Sequence, residues 1–240
     1  EPTWSYLYRK MIPPLVAAGY RCIAPDHIGF GRSDKVTDDR WYTIDGHIDR
    51  MGEFITRLDL QDITVFMQDW GGPIGLINAV AVPERFSRLV ILNTWLHHDG
   101  FEYGAAIRAW RDAAVNRLWL AWMRHDLPVG VIVRRSAARP VADPAALEAA
   151  YEAPFAGNIA AKAGARQFPR CIPMDKPDVG AGARQAEAFE ALKAWGEAWA
   201  GMIPGATFDV IEQAGHFCQE DAGEDIVARL LVRIAESGAS

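Results

Sequence analysis

Two short segments hold residue types at a spacing that can do chemistry: Asp69-Trp70-Gly71-Gly72 and Gly215-His216-Phe217. The first follows the apolar run ITVFMQ (63–68) and leads into an apolar helical pattern. Strand, sharp Gly-rich turn and helix make the setting of a nucleophile elbow. Such a turn lifts one side chain above the sheet edge. It leaves the next backbone N–H, that of Trp70, free to meet a developing oxyanion. Most elbows carry Ser at the apex. Here the apex is Asp69, and a carboxylate with an ordinary pKa of about 3.9 needs no deprotonation before it attacks. It suits an sp³ carbon bearing a leaving group, and the resulting ester must then be cleaved by water. That second step needs a general base, and His216 has the right chemistry for it. The bland alternative for Asp69 is a helix N-cap. Gly71-Gly72 behind it and the Gly-His-Phe turn downstream favour the nucleophile. An indole N–H donates and cannot accept, so Trp70 can hold a departing anion or simply pack; spacing alone leaves both open.

These residues need elements to place them. RCIAPD (21–26) reads as a short buried strand, and 43–58 as a helix with apolar positions at Ile44, Ile48, Met51, Phe54, Ile55 and Leu58. A strand over 63–68, a helix through Ile74, Leu76, Ile77, Val80 and Val82, and a strand at 88–93 follow. This alternation predicts parallel βαβ units. From 95 to 195 the pattern carries Ala, Arg and Trp at helical spacing with no strand pair, which predicts an inserted helical cap. Its Gly/Ala-rich piece at 178–186 reads as a flexible connection. TFDVIEQ (207–213) predicts the last strand, and 224–236 a terminal helix. The expected architecture is an α/β-hydrolase fold, with residues 1–94 and 196–240 as core and 95–195 as cap.

Composition narrows the function classes. Hydrophobic residues make up 50% and charged residues 23%, as in ordinary globular domains. A net charge of -6, with no basic stripe, excludes nucleic acid as an expected partner. No apolar run reaches the roughly 20 residues of a membrane helix, and the opening EPTWSYLYRK lacks a signal-peptide layout. Three scattered cysteines (Cys22, Cys171, Cys218) fit neither a disulfide framework nor a zinc site, and suit a reducing, cytoplasmic setting. No HExxH or CxxC spacing points to a metal. Nine tryptophans suggest an aromatic-lined cavity. Among the other histidines, His97 and His98 follow a strand end but read as solvent-exposed, while His27, His47 and His125 receive no role.

Four segments together carry a resemblance: EPTWSYLYRKMIP (1–13), APDHIGFGRSDK (24–35), QDWGGPIGL (68–76) and AGHFCQED (214–221). YEAPF (151–155) and RQFP (166–169) extend it into the cap. The chain resembles the haloalkane dehalogenases, most of all the subgroup whose first motif is His-Gly-Glu-Pro-Thr-Trp. The resemblance implies cleavage of a carbon–halogen bond through an alkyl-Asp69 ester that His216 hydrolyses. It implies an oxyanion hole from the backbone N–H groups of Glu1 and Trp70. It also implies halide binding by the indoles of Trp70 and a cap tryptophan; Trp110 is chosen, with Trp119 and Trp122 as rivals. It implies a halogenated organic substrate, water and halide as the only partners, no cofactor, a monomer, and a role in detoxification.

The chain departs from that pattern in two places. The family's first motif begins His-Gly before Glu1, and three strands precede or include that point, one of them lying between the strands at 21–26 and 63–69. The strand and Asp that normally orient the histidine are also missing, since Trp195 runs straight into Gly196. Asn93 stands where other members place that carboxylate, and Asp99 is a weak candidate nearby. A fragment of a longer, internally shortened sequence is the expected explanation, and the ester is expected to form and then stall. Epoxide hydrolysis is the nearest rival. It needs cap tyrosines, of which only Tyr103 and Tyr151 exist, and usually a His where Gln68 stands. A non-catalytic binding protein is the rival from another class.

Overall fold

The computed structural model describes residues 1–174, 180–194, 207 and 209–237. They divide into two compact units. The first comprises Glu1, Val36–Asp126 and Ala163–Asp209; the second comprises Pro2–Lys35, Leu127–Lys162 and Val210–Ser240.

In chain order the elements are α1 (Ile12–Ala17), α2 (Ile44–Arg57), β1 (Ile63–Asp69), α3 (Gly71–Ala81) and β2 (Phe86–Thr94). Then come α4 (Ala105–Val115), α5 (Arg117–Met123), α6 (Val129–Arg135), α7 (Pro144–Glu152), α8 (Ala163–Gln167), α9 (Ala181–Ala194) and α10 (Cys218–Ser237).

The first unit holds the sheet. Among the described residues it has two strands, β1 and β2, paired in parallel. α2 begins where Thr43 accepts from the Gly46 N–H at 3.1 Å, with Asp45 in the first turn favoured by the helix dipole. It buries Ile44, Ile48 and Ile55 of the six predicted apolar positions, while Met51 and Phe54 are half-buried and Leu58, at the helix end, is exposed. α2 packs on α3, where Asn78 Nδ2 donates to the carbonyls of Ile48 (3.0 Å) and Ile74 (2.8 Å). α3 is apolar nearly all round and buried along most of its length, as a helix covering a sheet must be. Arg166 of the RQFP segment is buried and pairs with buried Asp39 at 2.8 Å, so that motif supplies a charge to the core.

The second unit is helical. Tyr151 of YEAPF is fully buried and donates to Glu220, which also takes both guanidinium N–H groups of Arg9. The opening segment is tied to the 24–35 loop by Asp26. Its carboxylate accepts from the Ser5 N–H at 2.7 Å and the Arg32 N–H at 2.9 Å.

Three expectations need correction. Residues 21–26 are not a strand; they lie in extended coil, with Ile23 at 41% exposure. A strand exists only when its N–H and C=O groups have a ladder partner. No such partner is present among the described residues, so an apolar run remains solvated. The described residues of 207–213 form no strand either, for the same reason; position 208 lies outside them. The Gly/Ala-rich piece is not a connection from residue 181 onward, where it forms α9, while 178–179 lie outside the described residues. Alanine's helix propensity outweighs the single internal glycine. The terminal helix starts earlier than predicted, at Cys218, with a break at Ala222 (φ -145°, ψ 31°). The stretch predicted as cap holds helices and no strand among its described residues from Ala105 onward, after a coil at 95–104. The compact units cut across it, however, grouping 127–162 with the second unit and its flanks with the first.

Candidate active site

The elbow is built by the end of β1. Asp69 is its last residue, 9% exposed, and has φ +53°. A non-glycine residue in this region is strained, by of order 1–3 kcal/mol, and such strain clusters at functional turns. An N-cap sits in the extended region instead, so the backbone favours the nucleophile reading over the bland one. Trp70 follows at φ -59° and α3 begins at Gly71.

β2 buttresses the turn. The register runs Gln68↔Leu92, then Asp69↔Thr94, so Asn93 (φ +37°) bulges out of the ladder beside the apex. Bulges re-aim side chains and recur next to active sites. Thr94 Oγ1 donates to the Asp69 carbonyl at 2.5 Å. A Cβ on Gly72 would run into the Thr94 side chain, so the second glycine of the motif is what permits this approach.

The nitrogen of Glu1 donates to Asp69 Oδ2 at 2.8 Å. Burial, reinforced by the neighbouring Asp69 carboxylate, pushes the Glu1 side-chain carboxyl up to about 8, and its Oε2 has no hydrogen-bond partner among the described residues.

Trp70 is 3% exposed and packs edge-on against Trp95 (ring centroids 5.1 Å apart) and Phe168 (6.0 Å). The Trp95 indole N–H is buried with no hydrogen-bond partner among the described residues. Trp110, Trp119 and Trp122 are 39, 51 and 45% exposed, and none makes a ring contact with Trp70 among the described residues. The first unit thus brings together Asp69, Trp70 and the Glu1 nitrogen, and the indole beside Trp70 is that of Trp95, whose place directly after the strand that flanks the elbow is a signal the sequence carries.

His216 lies in the second unit, exposed in a bend between Gly215 and α10, with its ring 4.8 Å from that of Phe217. Asp99 is exposed, and the segment where the missing acid was expected, after Trp195, lies outside the described residues. His97 is buried rather than solvent-exposed: its backbone N–H donates to Gln185 Oε1 at 3.0 Å and its ring meets Tyr103 Oη at 3.1 Å. No group of three or more His, Cys, Asp or Glu residues could hold a metal among the described residues. No described helix is long and apolar enough to cross a membrane.

An acid-bearing elbow between a parallel strand and a buried helix defines an α/β hydrolase, and residues 1–118 match the family described as alpha/beta hydrolase fold. Haloalkane dehalogenase 1 of Mycobacterium tuberculosis is 39% identical, over 96% of this chain and 80% of its own length. The haloalkane dehalogenase of Psychrobacter cryohalolentis is 38% identical, over 97% and 80%. The tetrameric haloalkane dehalogenase of Paraglaciecola agarilytica superposes with a TM-score of 0.76 at 33% identity, over 95% of this chain and 79% of that one. The chain belongs to the haloalkane dehalogenase family. The alignment with the Mycobacterium protein spans 258 positions against 240 residues here, so that relative carries internal residues with no counterpart in this chain. The solved relative's tetramer differs from the monomer expected above.

Proposed function

We propose that the chain is a hydrolytic haloalkane dehalogenase whose nucleophile is Asp69. A carboxylate oxygen of Asp69 attacks the carbon bearing the halogen. The carbon–halogen bond breaks as the carbon–oxygen bond forms, and halide leaves with the bonding pair. His216 then takes a proton from water, whose oxygen attacks the ester carbonyl carbon. The tetrahedral oxyanion is met by the N–H groups of Trp70 and Glu1. Collapse expels the alkoxide, which takes the proton from His216 to leave as the alcohol, and the Asp69 acid gives its remaining proton to water, restoring the carboxylate. The departing halide is held by the Trp70 indole. Trp110 is the cap tryptophan expected from the family, but the unsatisfied Trp95 N–H beside Trp70 is the donor better supported by geometry. Water is the only co-reactant.

The observation that carries this reading is the positive φ of Asp69 at the end of β1, with the Glu1 nitrogen 2.8 Å from its carboxylate. Epoxide opening is disfavoured because both tyrosines it would need are engaged: Tyr151 on Glu220 and Tyr103 on His97. Burial raises the pKa of both hydroxyls, with Glu220 adding to the effect at Tyr151, which makes them poor acids. Incubation with 1,2-dibromoethane should release bromide and add an alkyl group to the Asp69 peptide, and both should vanish in Asp69→Asn. Bromide release that survives Asp69→Asn, or the absence of any adduct in the parent chain, would overturn the assignment.

A further inference from the structure

His216 needs its turn held still, and within the second unit one side chain ties that turn to another loop. Asp221 is buried at the start of α10, just before the break at Ala222. Its Oδ2 accepts from the Gly215 N–H at 2.7 Å, and from the Ala138 N–H at 3.0 Å. Its Oδ1 accepts from the Ala138 N–H at 3.1 Å and the Arg139 N–H at 2.9 Å. Both oxygens are thus used on backbone donors from two separate loops, one of them immediately before His216. Gly215 explains how the loops come so close. A Cβ there would collide with the Ser136 carbonyl oxygen.

We propose that Asp221 is a positioning residue for the dehalogenation reaction, fixing the His216 turn to the 136–139 backbone. The inference rests on His216 being the base of the second step. A carboxylate is the side chain that fits, because it presents only acceptors. The amide of Asn presents one acceptor and one donor, so it can serve either Gly215 or the 138–139 loop but must turn an N–H toward the other. A displacement of about 1 Å in a reacting group costs up to about 100-fold in rate.

The test compares the full chain with Asp221→Asn and Asp221→Glu. The second variant keeps the charge, and so protects the fold, while lengthening the reach by one methylene. Glu224→Gln, at an exposed carboxylate three residues further along α10, is the control. Two quantities are read: the separate rates of Asp69 alkylation and ester hydrolysis with 1,2-dibromoethane, and the NMR titration of the His216 ring. In both Asp221 variants alkylation should stay within about twofold, and hydrolysis should slow by about 10- to 100-fold. The His216 titration should be displaced while that of His125 stays in place, and Glu224→Gln should change nothing. Equal slowing of both steps, or an unmoved His216 titration in folded variants, overturns the proposal. If the parent forms no ester, the dehalogenase reading fails separately and the His216 titration still decides the role of Asp221. If the parent forms an ester that never hydrolyses, the same titration decides it.

Discussion

At the scale of the residue, the chemistry turns on a carboxylate placed where strain and donors meet. Asp69 keeps φ +53° because a bulge at Asn93, a hydroxyl from Thr94 and the start of α3 surround it. Its neighbour Trp70 was recognisable from sequence as a donor-only side chain. Which second indole accompanies it was not, because a helical tryptophan gives the same periodic signal whether it faces a site or solvent. Trp95 stands 5.1 Å from Trp70 with its N–H unsatisfied, whereas Trp110 is exposed on α4. A hydrogen bond to a charged group contributes about 1.5–3 kcal/mol, or about 10- to 100-fold in affinity. Quenching of tryptophan fluorescence by bromide should therefore weaken by at least about 10-fold in Trp95→Phe. It should stay within about twofold in Trp110→Phe. The reverse order would return the halide contact to the cap.

At the scale of the element, β1, α3 and β2 form where the sequence pattern expects them, with β1 one residue longer and β2 three residues longer than predicted. The turn between β1 and α3 is the sensitive joint. Thr94 occupies the space that any side chain at Gly72 would need. Gly72→Ala would gain helix propensity but force Thr94 off the Asp69 carbonyl. Overpacking of this kind costs about 1–3 kcal/mol. The thermal unfolding midpoint of Gly72→Ala should fall by about 2–12 °C, taking the usual 2–4 °C per kcal/mol for a chain of this size. An unchanged midpoint would mean that β2 yields freely and does not buttress the elbow. α2 was also legible, because its cap residue Thr43 and its buried stripe at Ile44, Ile48 and Ile55 are local signals. The strands expected at 21–26 and 207–213 were not borne out, since a strand's existence depends on a neighbour that its own residues do not specify.

At the scale of the whole molecule, the decisive fact is what lies between the matched segments. The relatives carry internal residues that this chain lacks, and the sheet has two strands among the described residues. Three or more strands or a packed helix are usually needed for a sheet to stand alone, and here α3 supplies the packing. The loss falls unevenly on the two chemical steps. In the reaction proposed above, alkylation uses Asp69, which lies in the first unit with Trp70 and Trp95. Ester hydrolysis needs a base held in the right tautomer, and losing an orienting acid costs about 10⁴-fold in related triads. Bromide release should therefore appear as a burst of about one equivalent per chain, with a hydrolytic rate about 10⁴-fold below that of an intact relative. Sustained turnover would mean that another group orients His216.

The sequence by itself determined the elbow, its acid apex, the distant histidine turn, the α2–β1–α3–β2 order and the presence of several helices within 95–195, with the family these imply. Each of these is written in contiguous residues, because turn chemistry, caps and apolar periodicity act over a few positions. Only the tertiary structure decided that Trp95 rather than Trp110 adjoins Trp70, that Arg166 is spent on Asp39, and that Asp221 binds the loops around His216. It also decided that 21–26 is coil. These outcomes depend on which distant groups share a space, and a buried charge or an unsatisfied N–H is defined only by what surrounds it.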